Sequence, residues 1–591
     1  MKTIDWSILF GYIVFSIAVG IWAGKKARKD TRSFFTADSK MSWWLLGTSI
    51  AATTFAADTP LAVTEIVRTQ GIAGNWLWWN MAISHILLAV VFARLWRRSG
   101  VITDAEFIEM RYSGKWAAIL RAVKAGYLAI AINALAMGWV MLAMAKVLKA
   151  VLPLSSFVSP DTAALLSSLW PDFVAVSWEE GYLIIILAFI AYIYSALSGI
   201  WGVVITDFVQ FIIAMAGSIM LCTIMLFYEG PRQALFQAVS SGATTVFPSS
   251  GTYAIPMGMF LSWIGIQWWA NKYSDGGGYI VQRVVAARNE EEASKSIMLF
   301  VILHYFIRPW PWILVALMSI GLLGNLTDHQ MAYPILMKIY LPAGALGLMV
   351  TAFFAAFMST IDTHINWGSS YLVEDIYRRF LNREKSEKHY IAAAAVSGLF
   401  ILLGGIIAAM FMKSVASAWK ILFLLGAGLG PIVFLRWLWW RINALSELCA
   451  MISSAITAAV LILSNSSMHF GYRLMTIAGI STVCALAAAF LGPRTDMNVL
   501  RSFHEKIKPP GPFWSSVSSE KSDINLVRVF TSWIAGSAGF VFFLHGIVNF
   551  LKSSFFIGFI YTVLTILSLY IFLRQYKLIT VRFTPDSEEK T

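Results

Sequence analysis

The fold of this chain is decided by residues 351–377, TAFFAAFMSTIDTHINWGSSYLVEDIY, which have the length and apolar frame of a membrane-spanning helix. Within that frame lies a nearly continuous polar run, made of Ser359, Thr360, Asp362, Thr363, His364 and Asn366. Polar side chains are costly in hydrocarbon, so the run is expected to face a cavity, a partner helix or a bound ion. Ala355 and Ala356 are small enough to let another backbone approach. The stretch therefore predicts a helix that helps to enclose a small cation.

The composition of the whole chain is that of a polytopic membrane protein. Of its 591 residues, 58% are hydrophobic and 13% are charged, with a mean hydropathy of +0.70. A soluble domain is about 45–50% apolar and about 25% charged. The net charge of +13 comes from short loops between apolar segments, as the positive-inside rule expects, so it does not indicate a nucleic-acid partner. The three cysteines lie in apolar segments and have no metal-ligand spacing.

About 20 apolar residues cross a bilayer as a helix. The sequence contains about fifteen such segments, near residues 5–24, 43–68, 75–97, 117–150, 181–199, 202–228, 256–270, 297–323, 344–372, 390–412, 415–440, 443–464, 472–492, 528–550 and 553–575. Alternate loops are rich in Lys and Arg, beginning with KKARKD at 25–30, whereas the loops near 152–180, 229–255 and 324–343 are nearly free of them. This asymmetry predicts a multi-pass protein of the cytoplasmic membrane, with the N-terminus outside and the C-terminus, ending PDSEEKT, in the cytoplasm.

Two segments carry signals of a broken helix. In ATTFAADTPLAVTE, residues 52–65, Pro60 removes a backbone donor and disfavours helix at Thr59. In QWWANKYSDGGGYIVQR, residues 267–283, the run of three glycines is expected to unwind the helix. These are the second and seventh segments, five apart, which is the pattern of an inverted repeat with a binding site at the breaks. A proline kink or a re-entrant loop without a ligand is the alternative for each.

Two acidic residues stand inside apolar segments. Asp58 lies in the second segment, and Asp207 lies in the sixth, three residues from Gln210 on the same helical face. An intramembrane carboxylate indicates a functional site. The alternative is a hydrogen-bond partner for another helix.

The motifs in these segments resemble those of the sodium/solute symporter family, which includes the sodium–glucose and sodium–proline carriers. The ninth segment carries A-x-x-S-T-x-D at 356–362 and S-S-x-L-x-E-D-I-Y at 369–377. Further matches are A-A-D-T at 56–59, TDAEFIEMRY at 103–112, T-D-x-x-Q at 206–210, V-Q-R-x-x-A-A-R-N-x-x-E-A at 281–293 and W-W-R-I-N-A at 439–444. The resemblance covers most of residues 1–490, and the order of the motifs makes it specific.

The resemblance implies an all-α polytopic fold with a LeuT-like core of two inverted five-helix repeats. On that basis the chain divides into a leading transmembrane helix and cytoplasmic loop (1–42), a first repeat (43–228), an extracellular loop (229–255), a second repeat (256–442) and accessory transmembrane helices (443–591) with a cytoplasmic loop at 493–526.

The resemblance also implies where sodium binds. The main site would consist of the backbone carbonyls of Ala56, Thr59 and Ala356 and the hydroxyls of Ser359 and Thr360. A broken helix and two hydroxyls supply the oxygens that a hard cation needs. Some family members bind a second sodium near an aspartate at the position of Asp207, with help from the two hydroxyls of the ninth segment. Since Ser359 and Thr360 are both present, Asp207 is a candidate second sodium ligand.

The solute is not identified by the sequence. The segment at 271–278 lengthens the seventh-segment break relative to the sugar and proline carriers, so substrate contacts of those relatives do not transfer. Candidates by position are Asp58, Thr64, Asn75, Trp78, Asn133, Trp268, Trp269, Asn271 and Trp419. For most of them packing or an interfacial aromatic belt is the alternative. No Arg or Lys is expected in the midplane cavity, so an anionic solute is not required.

The resemblance and the sequence together predict a sodium-coupled symporter that imports a small polar organic solute across the lipid bilayer by alternating access. A proton-coupled carrier on the same fold is the alternative, and would use Asp58, Asp207 or one of His85, His304 and His364. A sensor would need a signalling domain, and an intramembrane enzyme would need a nucleophile or metal motif; the sequence shows neither. A monomer is compatible with the sequence.

Overall fold

The computed structural model describes residues 1–27, 30–271, 274–464 and 468–580. The first half of this region consists of helices α1 (Thr3–Ala27), α2 (Thr31–Thr36), α3 (Trp43–Thr53), α4 (Asp58–Gln70), α5 (Ile72–Ser99), α6 (Glu106–Arg111), α7 (114–151), α8 (Pro160–Ser168), α9 (Trp178–Phe227), α10 (Glu229–Ser240), α11 (257–270) and α12 (Gly278–Val285).

The second half continues with α13 (Glu290–Leu322), α14 (Ala332–Tyr340), α15 (Ala345–Leu381), α16 (Glu387–Met410), α17 (Val415–Gly426), α18 (Gly430–Leu438), α19 (Ala444–Leu463), α20 (Phe470–Leu491), α21 (Met497–Ile507), α22 (Leu526–Leu551) and α23 (Phe555–Thr580). Within the described ranges the only β-type pairing is a single parallel bridge between Met41 and Ala287. The all-helical class that the sequence predicts is confirmed.

Ten helices in the described ranges are long and apolar enough to cross a membrane, or up to twelve if each of two bent pairs counts as one span. By length and composition the described residues contain fewer spans than the predicted number of about fifteen, which stays a prediction. The division into two inverted repeats also stays a prediction.

The segments predicted at 181–199 and 202–228 follow each other without a loop in the helical run α9, Trp178–Phe227. Residues 200–227 of this run are by themselves long and apolar enough to cross a membrane. The run contains no proline, and glycine alone lowers helix stability by only about 1 kcal/mol, so nothing in the sequence forces an interruption.

The predicted helix breaks are present. Helices α3 and α4 meet at residues 54–57 with a bend of 58°. Pro60 lies in the first turn of α4, where a missing backbone N–H costs nothing. Between α11 and α12 the chain leaves the helix, and Gly276 and Gly278 adopt φ of +108° and +66°, which only glycine accepts readily. Lys272 and Tyr273, in the predicted insertion, lie outside the described residues. A third bend, of 44°, separates α17 from α18 and was not predicted.

Helix α15 lies at the centre of the bundle and is almost entirely buried from Met349 to Ser370. It packs against α9, α7 and α16, and it touches α3 beside the break. Small residues allow this close packing: Gly217 of α9 lies directly against Ala352 of α15. The helix that carries the polar run 359–366 therefore contacts protein over nearly all of its surface in this stretch.

Candidate solute and ion site

The break between α3 and α4 exposes backbone carbonyls that other helices reach. Arg308 of α13 donates from Nη1 to the Ala51 carbonyl (2.8 Å) and from Nη2 to the Thr54 carbonyl (2.7 Å). Beyond the break, the Thr59 N–H donates to the Ala56 carbonyl at 3.2 Å. Arg308 thus holds the end of α3 in place.

Thr360 of α15 reaches the same break from the other side. Its hydroxyl lies 3.0 Å from the Thr53 carbonyl and 3.1 Å from the Ala356 carbonyl of its own helix. Three predicted sodium ligands, Ala56, Thr59 and Thr360, line one cavity.

Ser359 turns away from the break. Its hydroxyl donates to Asp207 Oδ1 at 2.5 Å, and Ser49 of α3 donates to Asp207 Oδ2 at 2.5 Å. The structure therefore brings Thr360 to the break and Ser359 to the buried carboxylate of α9. The family resemblance implied both hydroxyls at the main sodium ion, and both again beside a second ion at Asp207.

Asp207 already has a positive neighbour. The Arg283 guanidinium of α12 lies 3.7 Å from Asp207 Oδ2, and both side chains are buried. Arg283 also donates to Thr363 at 2.7 Å, and the Thr363 hydroxyl lies 3.1 Å from that of Thr53. Sequence reasoning missed Arg283 in this role, although an arginine that follows a break in an apolar segment was a usable signal.

The cavity at the break has a volume of about 200 Å³. Its wall combines hydroxyls, aromatic rings and aliphatic side chains, among them Thr53, Thr54, Ser84, Ile132, Ala136, Trp139, Val140, Tyr279, Phe300, Tyr305, Leu422 and Phe423. Trp78 also lines it and stacks on Tyr305 with ring centroids 5.9 Å apart.

The structure sorts the predicted solute residues into two groups. Those that line the cavity are Asp58, Trp78, Asn271 and Trp419, and Trp419 Nε1 donates to Asp58 Oδ2 at 3.0 Å. The others lie elsewhere: Thr64 bonds to the Pro60 carbonyl, Asn75 accepts from Trp78, Asn133 binds the backbone of His364, and Trp268 and Trp269 line a separate apolar groove.

The expectation that no Arg or Lys enters the cavity is wrong, because Arg308 lines it. Arg308 lies inside the apolar segment predicted at 297–323, so its charge was visible in the sequence. Its position at the break was not visible, since it depends on how α13 packs against α3. His85, His304 and His364 also line the cavity.

A second polar assembly, the buried charge cluster, consists of Asp104, Lys124, Asp275, Arg436 and Glu447. Arg436 lies 2.5 Å from Asp275 and 3.2 Å from Glu447, and Lys124 lies 3.0 Å from Glu447 and 3.7 Å from Asp104. The cluster ties the break at 271–277 to α18 and α19.

A third group of charges lies around Glu109 of α6. Arg121 and Arg379 donate to its carboxylate at 2.6 and 2.9 Å. Burial raises the pKa of this carboxyl, but the hydrogen bonds from the two guanidinium groups outweigh burial and leave the pKa below its ordinary value.

The amino-acid sequence of this chain is similar to those of known proteins. A model of the sodium:solute symporter family matches residues 34–170 and 172–454. The sodium/glucose cotransporter of Vibrio parahaemolyticus is 24% identical over 501 residues, covering 80% of this chain and 87% of that protein. Sodium/glucose cotransporter 1 of Oryctolagus cuniculus is 24% identical over 493 residues, covering 74% of this chain and 69% of that protein.

Among solved structures, that of a Na⁺-coupled sialic acid symporter in a substrate-bound outward-open state matches with a TM-score of 0.64. The match covers 84% of this chain and 99% of that chain at 17% sequence identity. At this identity the likeness establishes a shared fold and does not extend to the solute.

Proposed function

Since this chain belongs to the sodium:solute symporter family, we propose that it is a sodium-coupled symporter that imports a small polar organic solute by alternating access. The observation that carries the proposal is the Thr360 hydroxyl, which joins the polar helix α15 to the broken end of α3 through the Thr53 carbonyl at 3.0 Å. A cation at this junction would bridge the two helices. It would favour the arrangement in which they are close.

We propose the main sodium site at Ala56, Thr59, Ala356 and Thr360, with Ser359 next to it. Sodium would bind first and stabilise the outward-open state, and the solute would follow in the cavity between Asp58, Trp78, Asn271 and Trp419. Inward opening would separate α3 from α15, weaken the ion site and release both. Asp207 as a ligand for a second sodium stays a prediction, and the Arg283 guanidinium is a competing positive charge at that position.

The energetics of this proposal are sufficient. One charge moved through 100 mV yields about 2.3 kcal/mol, and a tenfold sodium gradient adds about 1.4 kcal/mol. One sodium can therefore sustain a several-hundredfold gradient of a neutral solute. The distribution of Lys and Arg among the loops supports the cytoplasmic membrane as the location, with the N-terminus outside.

The test is thermal unfolding of the purified protein in sodium chloride and in choline chloride at equal ionic strength. A ligand that binds only the folded state stabilises it by RT ln(1 + [L]/Kd), about 2.7 kcal/mol at a hundredfold excess over Kd. We expect a sodium-specific rise in melting temperature that disappears in the double variant Ser359→Ala/Thr360→Ala.

The matched control is Thr565→Ala. Thr565 donates to a carbonyl four residues back on α23 (2.8 Å), as Thr360 does on α15, but it lies far along the chain in an accessory helix. The control should keep the full sodium shift. An undiminished shift in the double variant would contradict the site.

A proton-coupled carrier is the second candidate, favoured by the three histidines and Asp58 on the cavity wall. It predicts no sodium shift in the wild type, and a melting temperature that responds to pH in choline as much as in sodium.

A further inference from the structure

Two buried polar atoms on the cavity wall have no hydrogen-bond partner among the described residues. They are Asp58 Oδ1 and Arg308 Nε, and no other residue lining the cavity has such an atom. The two residues are 2% and 1% exposed. Leaving a buried polar group unsatisfied is destabilising, and more so when the group is charged. The pair therefore indicates what a ligand has to supply: one donor and one acceptor.

The other polar atoms of these side chains are occupied. Asp58 Oδ2 accepts from Trp419, and the terminal nitrogens of Arg308 are committed to the Ala51 and Thr54 carbonyls at the end of α3. Within the described ranges, neither side chain lies within 4.0 Å of an opposite charge; the ion pairs of the chain lie elsewhere, such as Arg283 with Asp207. The cavity wall thus carries one negative and one positive group, each without an ion-pair partner.

The remaining wall suits the cationic end of a ligand. Trp78, Trp419 and Tyr279 line the cavity that holds Asp58 with aromatic side chains. A carboxylate among aromatic rings is an arrangement that recognises an ammonium group, by an ion pair and by cation–π attraction. Met81, Ile280 and Leu422 supply apolar surface for a short side chain.

We infer that the solute is a small zwitterion, with an N–H-bearing ammonium at Asp58 and an anionic oxygen on the Arg308 side of the break. The inference rests on the proposed function, since it names the solute class of the same cavity. A neutral sugar would leave both charges without an ion-pair contact, a simple anion would face Asp58, and a simple cation would face Arg308. The volume of about 200 Å³ lies below the ~300–1,000 Å³ of sites for drug-sized ligands, so the solute is small.

The experiment is a melting-temperature screen of the full chain in sodium chloride. The probes are the protein amino acids, glycine betaine, propylamine, propionate and D-glucose. We expect at least one amino acid to raise the melting temperature in a saturable manner, and no response to propylamine, propionate or D-glucose. Glycine betaine has no N–H, so it should bind more weakly than the best amino acid.

The variant Asp58→Asn removes the negative charge and keeps the size of the side chain, and its amide oxygen can still accept from Trp419. We expect it to weaken the amino-acid response at least about tenfold and to keep the sodium shift measured without solute. Asp161→Asn, on the short helix α8 away from the cavity, controls for purification and should behave as the wild type.

Failure of this inference differs from failure of the proposed function. A sodium shift together with a response to D-glucose and none to any amino acid would overturn the zwitterion and leave sodium coupling intact. An amino-acid response without any sodium shift would overturn sodium coupling and leave the zwitterion intact. An Asp58→Asn variant that loses the sodium shift but keeps the amino-acid response would assign Asp58 to the ion, and would also overturn the inference.

Discussion

Thr360 and Ser359 are adjacent on α15, yet their hydroxyls face different partners. Successive residues of a helix point about 100° apart, so one hydroxyl reaches the Thr53 carbonyl of α3 and the other reaches Asp207 of α9. A double substitution cannot distinguish their contributions. Single substitutions can, because the Thr360 hydroxyl donates to a carbonyl of the broken helix and the Ser359 hydroxyl donates to Asp207.

We predict that Thr360→Val, which keeps the shape and removes the hydroxyl, raises the sodium concentration for half-maximal stabilisation by about tenfold, or about 1.4 kcal/mol. Thr360→Ser keeps the oxygen and should stay close to the wild type. Ser359→Ala should lower the melting temperature in choline while changing the sodium dependence much less. The measurement is a sodium titration of the melting temperature. Equal sodium dependence in Thr360→Val and the wild type would remove this hydroxyl from the site.

Asp207 gives a second prediction at the residue scale. Asp207→Asn leaves the Arg283 guanidinium buried without its carboxylate, and breaking a buried pair in this way costs about 3–5 kcal/mol. The double variant Asp207→Asn/Arg283→Gln removes both charges, so it should recover much of that loss. Denaturant unfolding of the single and double variants measures both the stability lost in Asp207→Asn and the part of it that the double variant recovers.

The sodium dependence of transport tests the other role of Asp207. If a second ion binds there, Asp207→Asn should lower the Hill coefficient for sodium in proteoliposome uptake. An unchanged coefficient, together with the loss of stability, would make Asp207 a structural partner of Arg283.

At the scale of helices, the broken elements show what a sequence can predict. Pro60 and the glycines at 276–278 predict the breaks, because the backbone conformations that proline and glycine favour depend only on the local sequence. The motif at 356–362 likewise locates Thr360. The pairing of Arg283 with Asp207 and the reach of Arg308 to Ala51 are not local, since they depend on which helices pack together. Sequence reasoning therefore found the breaks and missed the arginines beside them.

The end of α11 gives a prediction about close packing. A Cβ added to Gly430, the first residue of α18, would overlap the Trp269 carbonyl at the end of α11. A backbone carbonyl cannot move aside as a flexible side chain can, so Gly430→Ala should destabilise the fold by about 1–3 kcal/mol. Gly479→Ala on α20 is the control, because nothing lies within 4 Å of its added Cβ and helix propensity favours alanine. Similar melting temperatures for the two variants would show that α11 and α18 pack less closely at Gly430 than the structure indicates.

At the scale of the whole molecule, the buried charge cluster joins parts of the chain that are distant in sequence. Asp275 accepts from Arg436 and from Trp437 Nε1 (2.8 Å), and its backbone carbonyl accepts from Trp96 at 2.7 Å. The break at 271–277 is thereby tied to α18 and α5, on the side where the Lys- and Arg-rich loops lie. Buried charges are costly unless paired, so the cluster is stable only when these elements are together. This makes it a suitable latch for the side that we propose as cytoplasmic.

The last prediction concerns this latch. Arg436→Gln removes the positive charge between Asp275 and Glu447, so we expect the cytoplasmic side to open more readily and the outward-facing population to fall. Sodium binding that favours the outward-facing state should then weaken by at least about fivefold, and amide exchange in residues 278–285 should speed up. Arg441→Gln is the control, because among the described residues Arg441 donates only to the Ala489 and Phe490 carbonyls (both 3.1 Å). Faster exchange with unchanged sodium affinity would show that the cluster stabilises α12 without coupling to the ion site, since a latch must change both observables together.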